Sequence, residues 1–100
     1  MTKHPEIPPW VDFLIRMKIE KEEVVAIHVR ENHLSKIHEI MEFLKQSFGA
    51  SRIILLNEVT SPSLRYKLLK EGKFLIVNNP KRLSNYIKET YLVLRRIANN

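Results

Sequence analysis

Val24-Val25-Ala26-Ile27-His28-Val29 is the stretch on which the reading of the fold turns. It is dominated by β-branched side chains and contains no turn former, so it reads as a buried strand. Working outward toward the C-terminus, Arg30 to His33 is a polar turn with Asn32 placed to cap the next helix. Leu34, Ile37, Ile40, Met41, Leu44 and Phe48 then keep a helical period up to Gly49, a good stop. Arg52-Ile53-Ile54-Leu55-Leu56 reads as a second strand. Ser61-Pro62 combines a capping hydroxyl with proline at the first helical position, and predicts a helix running through Leu64 to Glu71 and stopping at Gly72. Phe74-Leu75-Ile76-Val77 is a third strand, closed by an Asn78-Asn79-Pro80 turn. The last helix is expected from about Lys81 to Ile97, with Leu83, Tyr86, Ile87, Thr90, Tyr91, Val93, Leu94 and Ile97 on one broad face.

Toward the N-terminus, Pro8 and Pro9 sit where a helix start tolerates proline. Trp10, Phe13, Leu14 and Met17 recur at i, i+3, i+4 and i+7, which predicts a helix over Trp10 to Glu20. Val11, Ile15 and Ile19 form a second apolar stripe on the same segment. If the first stripe enters the core, the second is left for association with another copy or another chain. The expected order is α-β-α-β-α-β-α, an α/β or α+β fold in which helices pack on a small mixed sheet. One domain over residues 1–100 is expected, with residues 1–7 as a loose lead-in.

Composition limits the chemistry. The chain is 44% hydrophobic and 28% charged, as in ordinary folded domains. It shows neither a secretion-signal pattern nor an apolar run near the roughly 18 residues of a membrane span, which makes the cytoplasm the expected compartment. With no cysteine, thiol catalysis, disulfides and thiolate metal sites are excluded. Two glycines cannot build a phosphate-binding loop or a dinucleotide fingerprint, and no cofactor is expected. Asp12 is the sole aspartate, so paired aspartates for Mg²⁺ are missing. His28, His33 and His38 are spaced by five, a spacing that scatters them, and are expected to be one strand histidine and two surface ones rather than metal ligands. A single glutamine, Gln46, and abundant Ile, Leu, Glu, Lys and Arg resemble a thermophile's composition.

Charge is unevenly distributed. Residues 1–50 hold seven Lys/Arg against eight Asp/Glu, whereas residues 51–100 hold ten against three. The basic half points to a surface for nucleic acid or another acidic partner. Arg65, Lys67, Lys70, Lys73, Lys81 and Arg82 are the candidate phosphate-binding residues. The last two open a helix, where cations oppose the dipole unless an anion is held there.

The stretch Asn57-Glu58-Val59-Thr60-Ser61-Pro62-Ser63-Leu64-Arg65-Tyr66-Lys67-Leu68-Leu69-Lys70-Glu71-Gly72-Lys73-Phe74-Leu75-Ile76 resembles the back half of minimal nucleotidyltransferases of the DNA polymerase beta-like superfamily. The resemblance covers about residues 52–97. It implies a nucleotidyltransferase-like fold and, by analogy with the family, a helical toxin-like protein as partner. Active members carry a Gly-Ser turn and an Asp-x-Asp strand. Here the glycines precede Ala50 and Lys73, and the positions corresponding to the acidic residues fall near Val24, Ala26 and Arg52. The resemblance therefore implies a catalytically inactive relative that does not transfer nucleotides and serves as a protein-interaction module. The alternative is a nucleic-acid-binding protein using the basic C-terminal half.

Overall fold

A computed structural model describes residues 7–98. The expected lead-in lies largely outside the described residues; Ile7, its last member, packs against a core cluster. The elements are β1 (Val11–Ile19), β2 (Glu22–Val29), α1 (Ile37–Phe48), β3 (Arg52–Leu55), α2 (Pro62–Glu71), β4 (Lys73–Val77) and α3 (Pro80–Ala98), with short 3-10 helices at Glu31–Lys36 and Leu56–Glu58. The α+β class is as expected. The order is not: the chain runs β-β-α-β-α-β-α.

The segment expected to be the first helix is strand β1. It pairs antiparallel with β2 from Ile19↔Glu22 to Val11↔Val29, and on its other edge antiparallel with β4. β3 joins β2 in parallel, which makes one mixed four-stranded sheet in the order β3-β2-β1-β4. A central strand covered on both faces needs apolar residues on both, so its sequence loses the simple alternation that marks a half-exposed strand. Phe13, Ile15 and Met17 face Leu56, Leu68 and Tyr86. Val11 and Leu14 join Val25, Ile27, Ile37 and Leu44 on the opposite face. Helix α1 thus covers one side, and α2 and α3 cover the other.

This overturns the proposed interface stripe. Val11 and Ile15 are wholly buried within their own chain, and Ile19 is half-buried against the Phe13 cluster. Simple alternation would keep Val11 and Ile15 on one face, but the register slip between Val11 and Phe13 sends them to opposite faces of the sheet, so the three do not share an outward side.

Other sequence signals hold. Ser61 Oγ accepts from the Leu64 amide with Pro62 at the first helical position, and α2 ends at Gly72. Gly72 lies in extended backbone rather than the left-handed region; its missing side chain matters because a Cβ there would collide with Ile15 and the Leu68 carbonyl. Asn32, expected to cap a helix, instead accepts from His33 within the 3-10 turn, and α1 starts after Lys36 without a side-chain cap.

The hairpin between β1 and β2 turns on Glu20 and Lys21, both at positive φ (50° and 73°). Two consecutive left-handed residues match a type I′ connection, which favours Asn-Gly. An L residue with a Cβ costs roughly 1–2 kcal/mol in that region. The double variant Glu20→Asn, Lys21→Gly is therefore expected to gain about 1 kcal/mol or more, read as a higher urea midpoint at unchanged slope. An unchanged or lower midpoint would mean that the turn is not strained.

Candidate functional site

At the end of the sheet where β1 meets the start of α3, the β1–β2 register slips between Val11 and Phe13. The extra residue of this bulge is Asp12, whose side chain is thereby re-aimed. Asp12 is wholly buried. Its Oδ2 lies 2.8 Å from His28 Nδ1, and its Oδ1 accepts from Asn79 Nδ2 at 3.1 Å. Its carbonyl accepts from the amides of Asn78 and Asn79, both at 2.9 Å. Asn79 Oδ1 in turn accepts from the Arg82 amide and caps α3. One asparagine therefore ties the buried carboxylate to the first turn of the helix.

His28 is enclosed by rings. Phe13 stacks on it at 5.1 Å, and Tyr86 meets it edge-on at 5.2 Å. Burial lowers the imidazole pKa below its ordinary 6.5, with nearby Arg82 and Arg65 adding to the fall and the Asp12 hydrogen bond and charge opposing it. With Nδ1 donating to Asp12, the lone pair belongs to Nε2. No side-chain nitrogen or oxygen among the described residues is both buried and unpartnered, and Nε2 makes no protein hydrogen bond, so Nε2 is open to solvent.

It opens into a cleft of about 340 Å³ lined by His28, Asn57, Arg65, Arg82 and Tyr86, with Glu31, Leu34 and Glu89 around them. Asn57 brackets Val29, accepting from its amide and donating to its carbonyl, and so holds the wall of the cleft to β2. Tyr86 donates its hydroxyl to the Leu56 carbonyl at 3.2 Å, and burial pushes its pKa up to about 12. Arg65 lies over the Tyr86 ring, its guanidinium carbon 4.5 Å from the ring centre, and donates Nε to the Val59 carbonyl. That leaves its terminal nitrogens available. Among the described residues neither Arg65 nor Arg82 has a carboxylate within ion-pair distance.

The structure therefore divides the six basic candidates. Arg65 and Arg82 meet in the cleft. Lys67, Lys70, Lys73 and Lys81 are exposed and lie outside it. Lys70 sits over Tyr66, which packs edge-on against Tyr91. Lys73 pairs with Arg16, away from the Phe13↔Val77 end of the β1–β4 ladder. His33 stacks on Trp10 and His38 is exposed, so the three histidines do not converge. No group of three metal-ligating side chains forms among the described residues.

The Asp12–His28 pair was missed in the sequence reading. Its signal was a lone polar residue inside each of two apolar runs, but with Asp12 assigned to a helix the two could not be brought together. The chain matches no family model, no curated protein and no solved structure.

Proposed function

We propose that the domain binds the phosphate backbone of a ribonucleotide polymer, on a nucleotidyltransferase-like scaffold that does not transfer nucleotides. The observation that carries this reading is the convergence of Arg65 and Arg82, free of carboxylate partners among the described residues, on one cleft beside His28. Planar guanidinium groups suit phosphate oxygens, which they can grip two at a time. Glu31 and Glu89 on the same cleft are poor neighbours for phosphate but good acceptors for ribose hydroxyls, and this favours RNA over DNA. The overall charge of +6 adds long-range attraction. Loss of transfer is supported by the positions corresponding to the family's metal ligands: Val24 and Ala26 are core residues, and Arg52 lies beside Val24 on the parallel neighbour strand.

Fluorescence anisotropy with a labelled single-stranded RNA tests the reading. Two phosphate contacts on a single strand predict a log–log salt slope near −1.4, at roughly 0.7 for each contact. Arg82→Glu is expected to weaken binding at least about tenfold, whereas Lys81→Glu, one residue away but outside the cleft, changes it by a smaller factor. Equal effects of the two reversals would locate binding on the general basic surface instead of the cleft.

A second reading is favoured by α3. Its last two turns expose Tyr91, Leu92, Val93 and Ile97, with Leu92 and Ile97 more than half exposed. Arg95 and Arg96 lie among them, so the partner that fits is an amphipathic protein segment with carboxylates flanking its apolar stripe rather than a second copy bearing the same arginines. On this reading the wild type sediments as a monomer alone and as a complex with an acidic amphipathic peptide, and Leu92→Glu with Ile97→Glu abolishes the complex. Binding that survives both changes rules out this face.

A further inference from the structure

The cleft holds more than a phosphate clamp requires. A cation pair suffices to hold an anion, yet the cleft also presents an imidazole whose distal nitrogen carries a solvent-open lone pair, and a buried carboxylate orients the ring from behind. Asp12 is locked by Asn79 and by the bulge, so it holds His28 in the Nδ1-protonated tautomer and can stabilise the imidazolium once Nε2 takes a proton. We propose that the Asp12–His28 pair is a general base that cleaves RNA by activating the ribose 2′-hydroxyl next to a phosphate held by Arg65 and Arg82. The inference rests on the RNA-binding reading above.

The choice of reaction follows from which groups line the cleft. Its lining offers a base and two cations but no serine, threonine or cysteine, and the Tyr86 hydroxyl is committed to the Leu56 carbonyl and stays protonated, because burial pushes its pKa up to about 12. The substrate must therefore bring its own nucleophile. RNA does, one bond away from each phosphodiester. His28 Nε2 takes the 2′-hydroxyl proton, the 2′-oxygen forms a bond to phosphorus, and the bond from phosphorus to the 5′-oxygen breaks. The departing 5′-oxygen takes a proton from solvent, and His28 returns its own proton to solvent. One strand becomes two, ending in a 2′,3′-cyclic phosphate and a 5′-hydroxyl, with no water consumed. Arg65 and Arg82 face the charge that builds on the non-bridging oxygens as phosphorus becomes five-coordinate. The low pKa of His28 keeps the imidazole neutral, and hence basic, at neutral pH.

The test uses the full chain, a 5′-labelled single-stranded RNA, and EDTA to suppress metal-dependent nucleases. Binding is read by anisotropy and cleavage by gel. Expected are products ending in cyclic phosphate, no cleavage at a position carrying a 2′-O-methyl group, and a rate that rises as pH is raised through the His28 titration. His28→Gln is expected to lower the rate by about 100-fold or more, the usual scale of a general base, while leaving RNA affinity within about threefold. The 2′-O-methyl substrate carries the same test on the unaltered protein, should the variant fold poorly. RNA that is bound but remains intact overturns this proposal and leaves the binding reading standing. RNA that is not bound removes both. Cleavage that persists at the methylated position, or that persists in His28→Gln, overturns the assignment to this pair.

Discussion

Alanine at Phe13 is expected to lower the unfolding free energy by roughly 3–5 kcal/mol, the range for removing a fully buried aromatic ring. The ring is wholly inaccessible and central to its face of the sheet. It stacks on His28, tilts against Phe74 at 6.5 Å and meets Tyr86 edge-on at 5.6 Å. Its loss leaves a void beneath three rings that are held to different elements and cannot all move inward together. For a domain of this size each kcal/mol corresponds to roughly 4–8 °C, so the melting temperature should fall by about 12 °C or more. Because the ring also forms one wall around His28, the variant should bind RNA more weakly even well below its midpoint. A drop of under about 1 kcal/mol in urea unfolding would contradict the packing described for this face.

The second large effect is expected from Asp12→Ala. That change leaves His28 Nδ1 and Asn79 Nδ2 without their buried acceptor, and each orphaned group costs about 1–3 kcal/mol. A total near 3 kcal/mol is expected. The pH dependence follows from His28, which is faced by Asp12 from β1, Arg65 from α2, and Arg82, Tyr86 and Glu89 from α3. Its pKa is lower folded than unfolded, so the unfolded chain binds the proton first as pH falls. The stability this histidine contributes is complete above about pH 6.5 and is lost as pH drops from there through the lower folded value. Removing Asp12 removes the influence that raises the folded value, so the decline should continue to lower pH in the variant. Urea midpoints between pH 5 and pH 8 measure both effects. A wild-type midpoint that does not fall below pH 6.5 would mean that His28 is not held neutral.

Much of the second half of the fold was legible because its signals are local. Ser61-Pro62 makes a helix start whatever surrounds it, and strand β4 and the long amphipathic α3 carry clear periods. The segment from Trp10 to Glu20 was not legible, and the reason is specific. Strand β1 is buried on both faces and contains a bulge, so its apolar residues are nearly continuous and happen to satisfy the helical spacing of Trp10, Phe13, Leu14 and Met17 as well. The turn that would have announced a hairpin is Glu20-Lys21, which lacks the glycine or asparagine that normally marks two positive φ angles. Misreading that one element displaced Asp12 from the sheet, hid its partnership with His28, and turned the core residues Val11 and Ile15 into an outward stripe.

By itself the sequence determined the class of the fold, the ends of its three helices and the starts of the last two, the absence of thiol chemistry and the concentration of positive charge in residues 51–100. These depend on residue type and spacing along the chain, which short-range sterics and capping translate directly into structure. Only the tertiary structure decided which two of the six basic residues share a cleft, and that the sole aspartate stands behind a histidine sixteen positions away. Pairing across strands and the register slip at Asp12 set those distances. Both arise from how two faces of one sheet are covered at once, a condition that no single window of sequence contains.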